Sequence, residues 1–157
     1  MTEPGRVPVD YAWRGEFTDL ELNTLHAEGF EHELIPDDDW WGMVNRHSLG
    51  WVTARRAGPA DGSPARRDKE LVGFVNVAWD GSVHAFILDT LVAMAARREG
   101  IGVRLVEVAT EHARAAGCEW LHVDFEDHLT GFYFRSCGFS PTNAGLIALP
   151  ARQAPVA

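Results

Sequence analysis

The stretch Arg97-Arg98-Glu99-Gly100-Ile101-Gly102-Val103 joins an apolar run, Val83 to Ala93, to an amphipathic stretch, Ile101 to Ala116. The first reads as a central strand buried on both faces. The second reads as a helix with Ile101, Leu105, Val108 and His112 near one face, ended by Gly117. Two glycines one residue apart let the backbone turn sharply and approach a ligand closely, since neither carries a Cβ. The helix beginning there offers unpaired N–H groups and a positive dipole end. Strand, glycine turn and helix start together make an anion site suited to a diphosphate.

The spacing separates the candidate diphosphate sites. A dinucleotide fold places its glycine turn after the first strand and needs a third glycine, but Leu105 occupies that place. A P-loop requires a Gly-Lys-Ser/Thr ending, which is absent.

Upstream, Val9, Tyr11 and Trp13 alternate with other residues as in a strand. Thr18 and Glu21 have capping-box spacing and predict a helix to about Gly29. Pro36-Asp37-Asp38-Asp39 predicts a second helix start, with acids at its positive end. Strands are expected over Leu49–Arg55 and Leu71–Trp79, separated by a Gly-, Pro- and charge-rich loop from Ala57 to Lys69. Asp80-Gly81 is a hairpin signal. Downstream, the expectations are a strand over Trp120–Phe125, a short helix over Leu129–Cys137, and strands at Phe139 and Leu146–Leu149. The reading is a single α/β domain over residues 1–157, with 1–8 and 150–157 as flexible tails.

Composition narrows the partners. Among 157 residues, 23 are acidic and 14 are Lys or Arg, a formal charge of −9. That balance opposes nucleic-acid backbone and favours cations at long range. No apolar run approaches the roughly 20 residues that span a bilayer. The N-terminal MTEPGRVPVD lacks the layout of a secretory signal. Cys118 and Cys137 fit no zinc spacing and read as reduced thiols. The expectation is a cytoplasmic protein binding neither nucleic acid nor membrane, with no metal.

The elements Arg97-x-x-Gly100-x-Gly102 and, on the next helical segment, Phe132-Tyr133 followed by Gly138-Phe139, resemble the GNAT superfamily of acyl-CoA-dependent N-acyltransferases. The resemblance spans about Leu71 to Phe139. It implies a mixed, mostly antiparallel sheet split by a CoA cleft and flanked by about four helices. It implies acetyl-CoA as co-substrate and direct transfer to an amine. Backbone of Val92, Ala93 and Met94 would hold the pantetheine arm. The segment Arg97, Arg98, Glu99, Gly100, Ile101, Gly102 and Val103 would hold the diphosphate. Tyr133 would protonate the departing thiolate. Three positions depart from the family pattern: Glu99, Met94 where many members have proline, and Glu126 or Asp127 where an asparagine is frequent.

Transfer to an amine requires a base tuned near working pH. His122 is the first candidate, since imidazole titrates in that range. Asp124, Glu126, His84 and Asp89 are alternatives, and His122 also reads as a purely structural strand residue. The acceptor side is expected around Glu28, Glu31, Glu33, Asp37, Asp38, Asp39, Trp40 and Trp41, where aromatic faces beside carboxylates suit a cationic amine. The same residues read equally as helix-cap acids and core tryptophans. A small-molecule amine is favoured over a protein. A protein or peptide acceptor, a non-catalytic acyl-CoA-binding module, and a homodimer remain open at this level.

Overall fold

The computed structural model describes residues 7–35, 37–57 and 69–150. Most of the charged loop expected over 57–69, and most of the two tails, lie outside them. Five strands form one sheet in chain order: β1 (Val9–Trp13), β2 (Ser48–Arg56), β3 (Glu70–Trp79), β4 (His84–Val92) and β5 (Trp120–His122). The first three pairings are antiparallel and β4–β5 is parallel. The hairpin signal at Asp80-Gly81 holds: Gly81 has φ +79°, and Asp80 Oδ1 accepts from the N–H groups of Ser82 and His84.

Helix α1 (Asp19–Phe30) starts at the expected capping box, with Thr18 and Glu21 exchanging side-chain and backbone hydrogen bonds. Helix α2 (Trp40–His47) is capped by Asp39, whose carboxylate accepts from Gly42 N at 2.8 Å. Both helices cover one face of the sheet. Phe17, Leu22, Leu25, Val44, Trp51, Leu71, Phe74 and Leu91 form the core there. Helix α3 (Ile101–Ala115) covers the other face, burying Ile101, Leu105, Val108, Ala109 and Ala113 against Val52, Val72, Val75 and Val77. Each of these valine, leucine and isoleucine side chains contributes roughly 1.5–3 kcal/mol of transfer free energy on full burial.

Three expectations need correction. The strand buried on both faces is β3, whose residues Leu71 to Val77 are all buried; β4 alternates and leaves Phe86 and Leu88 exposed. An apolar run reports the need for cover, not which strand receives it. Strand β5 stops at His122 instead of Phe125. Its pairing with β4 ends at Phe86–His122, ahead of a bulge in β4 described below. The two terminal strands do not form: Phe139 to Pro150 has no ladder partner among the described residues, and Leu146, Ile147 and Leu149 are 79%, 86% and 84% exposed.

The helix expected at Leu129–Cys137 is a 3-10 turn (Asp127–Leu129) followed by a π-helical segment, Gly131–Ser136. Its wide winding carries Cys137 N to Phe132 O at 2.9 Å. Such turns are frequent at functional sites.

Candidate active site

Parallel pairing between β4 and β5 runs from His84–Trp120 to Phe86–His122 and then ends, while β4 continues to Val92. Antiparallel pairing of β4 with β3 skips a place between Leu88 and Leu91, so Asp89 and Thr90 share one position opposite Val75. This is a β-bulge, and it increases local twist. Asp89 accommodates it at φ +53°, a region few non-glycine residues enter. Strand β4 therefore turns out of line with β5 and a gap opens between them.

Across that gap stands Tyr133. Its hydroxyl donates to Thr90 Oγ1 at 3.1 Å. Its ring stacks on Phe125 at 4.7 Å and meets Phe132 and Phe139 edge-on. Burial pushes the phenol above its ordinary range, opposed by the Thr90 bond. The group is therefore a protonated donor at neutral pH. Neighbouring Cys137 is pushed up to about 11 by burial, so it is a thiol rather than a thiolate nucleophile.

The α3 N-terminus closes one end of the gap. Arg98 (φ +64°) and Gly100 (φ +81°) turn the chain, and Gly100 is the helix N-cap. The first backbone bond of the helix runs from Arg104 N to Gly100 O at 3.1 Å. The N–H groups of Ile101, Gly102 and Val103 thus meet no backbone acceptor among the described residues. The two glycines have different reasons to be glycine. A Cβ on Gly100 would meet open space, so the left-handed φ decides; a Cβ on Gly102 would stand 3.1 Å from the Phe132 ring. Glu99 is turned away and neutralised, its carboxylate accepting from Arg56 at 2.9 Å.

Next along the gap, the Val92 carbonyl accepts from Arg97 Nε at 3.3 Å. The Met94 N–H donates to the Glu28 carboxylate, and Ala93 N bonds to Val72 O at 2.9 Å. Two backbone groups expected to meet a pantetheine arm are thus held by exchangeable side chains.

These features, a sheet opened at a bulge and a bare helix start beside a buried tyrosine, occupy one continuous region. The family model described as "Acetyltransferase (GNAT) family" matches residues 14–139. The chain belongs to the GNAT family of acetyltransferases. Members of this family use acetyl-CoA as co-substrate. Among curated proteins, the chain is 44% identical over 55 residues to glucosamine 6-phosphate N-acetyltransferase 1 of Oryza sativa subsp. japonica. That match covers 35% of this chain and 33% of the relative, so the chain spans about a third of that protein's length. Glucosamine-6-phosphate N-acetyltransferase of Arabidopsis thaliana superposes with TM-score 0.66 at 15% identity, covering 90% of this chain and 98% of that one. An aminoglycoside acetyltransferase from an uncultured soil sample, solved with sisomicin, gives TM-score 0.68 at 14% identity, with 92% and 97% covered. These two structures share the fold with this GNAT domain.

The remaining candidate residues of the GNAT domain separate into two places. His122 lies where β5 ends: its Nε2 is 2.8 Å from His84 Nδ1, and its ring stacks on exposed Phe86 at 4.8 Å. Asp124 and Glu126 are exposed, and Glu126 approaches His128 at 3.4 Å. Asp89 instead faces α1, with Oδ1 3.5 Å from His26 Nε2. His26 was not legible as a site residue, because only the fold brings α1 over the bulge. Of the acids around α2, Asp39 caps the helix and pairs with Arg46. Trp40 Nε1 donates to Asn23, and Trp41 packs edge-on to Phe17 and Trp51. Among the described residues, Glu28 is the acid of that expected acceptor side whose carboxylate accepts from the Met94 backbone N–H. Among the described residues no helix is long and apolar enough to cross a membrane.

Proposed function

We propose that the chain transfers an acetyl group from acetyl-CoA to a primary amine of a small molecule, by direct attack. The observation that carries this reading is the Tyr133 hydroxyl held at 3.1 Å by Thr90, beyond the point where β4 and β5 part, with the adjacent Phe132 ring against Gly102 of the bare α3 start. The residues suit the donor. N–H groups from Arg98 to Val103 would hold its diphosphate, and Arg56 removes the repulsion that Glu99 would exert there. Backbone of Val92 and Met94 would hold the pantetheine arm, displacing Arg97 and Glu28.

The amine lone pair attacks the thioester carbonyl carbon, the C–S bond breaks, and the sulfur takes the Tyr133 proton. The Thr90 hydroxyl turns to donate a hydrogen bond to the phenolate, and the surplus N–H proton of the newly acylated nitrogen passes through solvent to reprotonate it. The raised pKa of Cys137 favours this direct route over a cysteinyl intermediate. A small amine as acceptor is supported by the names of the relatives, which acetylate glucosamine 6-phosphate or aminoglycosides.

The test is thiol release from acetyl-CoA with a panel of amino sugars, aminoglycosides, amino acids and peptides. Release with a small amine, falling roughly 10²-fold in Tyr133→Phe with coenzyme A binding retained, is the expected result. Release with peptides alone would assign a protein acceptor. Coenzyme A binding without any transfer would assign a binding module.

A further inference from the structure

We propose that Asp89, oriented by His26 and His32, is the group that takes the proton from the acceptor's ammonium. This inference rests on the acetyl-transfer reading above and deepens it. Asp89 and Thr90 are consecutive residues of one bulge. Thr90 holds the Tyr133 hydroxyl, and Asp89 reaches the α1 side of the same opening. The proton-giving and proton-taking groups are thereby fixed by a single piece of backbone.

The hydrogen-bond directions can be read from one end of the chain of groups. His32 Nδ1 lies 2.6 Å from the Glu33 carbonyl, which only accepts, so this nitrogen carries a proton. In the tautomer that carries this one ring proton, the His32 Nε2 lone pair faces His26 Nδ1 at 2.7 Å. His26 Nδ1 must donate there, which leaves its Nε2 lone pair aimed at Asp89 Oδ1. The Asp89–His26 pair accordingly has room for one proton between its facing atoms. Burial raises the Asp89 carboxyl and lowers the His26 imidazole, so their affinities for that proton converge.

The surroundings suit this task. From α1, His26 is the titratable group facing Asp89; from the connection to α2, His32 and the carboxylate of Asp38 face His26; beyond Thr90 stands the neutral phenol of Tyr133. Trp40 and Phe30 flank the His26 ring at 4.9 and 4.6 Å and limit water. The side chains of His26 and Asp89 keep 21% and 24% exposure, enough to meet an acceptor and later shed a proton. The left-handed φ of Asp89 is strain concentrated where the chemistry would occur. The three groups form a linear chain and are not arranged as a metal site.

The step balances simply. The ammonium gives one N–H proton to the Asp89 carboxylate, which shares it with His26 Nε2, and the freed nitrogen pair forms the new N–C bond. The proton then passes to solvent. Asp89 touches the substrate; His26 and His32 are positioning residues.

The test compares wild type, Asp89→Asn and His122→Ala on two acceptors: an alkylamine, protonated at neutral pH, and an amine of pKa below about 6, already neutral there. Asp89→Asn is expected to lower kcat on the alkylamine roughly 10²-fold or more, with the KM for acetyl-CoA unchanged and with rate climbing steadily with pH. On the low-pKa amine it should lose only a few-fold. His26→Gln should move the acidic limb to lower pH and reduce the plateau, and it replaces Asp89→Asn in the comparison if that variant does not fold. Equal losses on both amines would assign a structural role to the pair and overturn the proposal. So would an unchanged pH profile in the Asp89 variant, or transfer of the acid limb's control to His122. A wild type inactive on every amine would overturn the proposed function and this inference together; an active wild type with an unaffected Asp89→Asn overturns this inference alone.

Discussion

Phe132 lies 3.1 Å from the point where a Cβ on Gly102 would stand, so helix α3 and the π-helical segment touch through a missing side chain. Phe132 precedes Tyr133 and meets its ring edge-on, so a shift of Phe132 is expected to reach the phenol. In Gly102→Ala the ring must yield by a few tenths of an ångström. Gain in helix propensity of up to about 1 kcal/mol offsets the crowding. The expected outcome is a melting temperature close to wild type with acetyl transfer several-fold lower. Gly100→Ala should behave oppositely: no clash, but about 1–2 kcal/mol of left-handed strain, read as a lower denaturant midpoint.

Tyr133 and Thr90 should act as a unit. Thr90→Val removes the acceptor for the phenolic O–H, a neutral bond of about 1 kcal/mol, so turnover should fall roughly 5–10-fold. Thr90→Ser should restore it. In the Tyr133→Phe background, Thr90→Val should cost almost nothing further, and a double-mutant cycle on kcat measures this. Additive losses would separate the two residues.

Arg56 is expected to protect the proposed diphosphate site from Glu99. Arg56→Ala releases a carboxylate beside the α3 N-terminus and should weaken coenzyme A binding by about 2–5-fold, less at high salt. Combining it with Glu99→Gln should recover the wild-type affinity. Titration calorimetry at two ionic strengths decides the matter.

The capping box of α1 carries a pH dependence. Glu21 is held below the ordinary carboxylate range, first by hydrogen bonding from Arg55 and also by the Thr18 N–H, against a desolvation penalty. Because the folded value is the lower one, the stabilisation is fully present above the unfolded value of about 4.3 and is lost as pH falls through the folded value. Thermal melts should therefore drop below about pH 4.3, and Glu21→Gln should flatten that part of the curve.

Local chemistry was legible in the chain. The Thr18/Glu21 box, the acid-led start of α2, the Asp80-Gly81 turn and the glycine turn before α3 each rest on neighbours in sequence, and each stands as expected. Features that depend on distant partners were not legible. Nothing near Asp89 announces a bulge, since aspartate rarely adopts positive φ inside a strand. Leu146 to Leu149 has strand-like apolarity, but a strand requires a partner. The chain nominated His122 by its residue type; the fold gives it His84 as a partner and gives Asp89 a different histidine, from α1.

The Glu28 carboxylate on the Met94 N–H has a kinetic consequence. A donor arm seated along Val92 to Met94 must dislodge that carboxylate, exchanging one hydrogen bond for another, so this rung discriminates shape more than it tightens binding. The dislodged anion then stands free at the edge of the acceptor side, where it attracts a cation. Loading would accordingly be sequential, thioester first and amine second, and product-inhibition patterns should register that order in the wild type and lose it in Glu28→Ala.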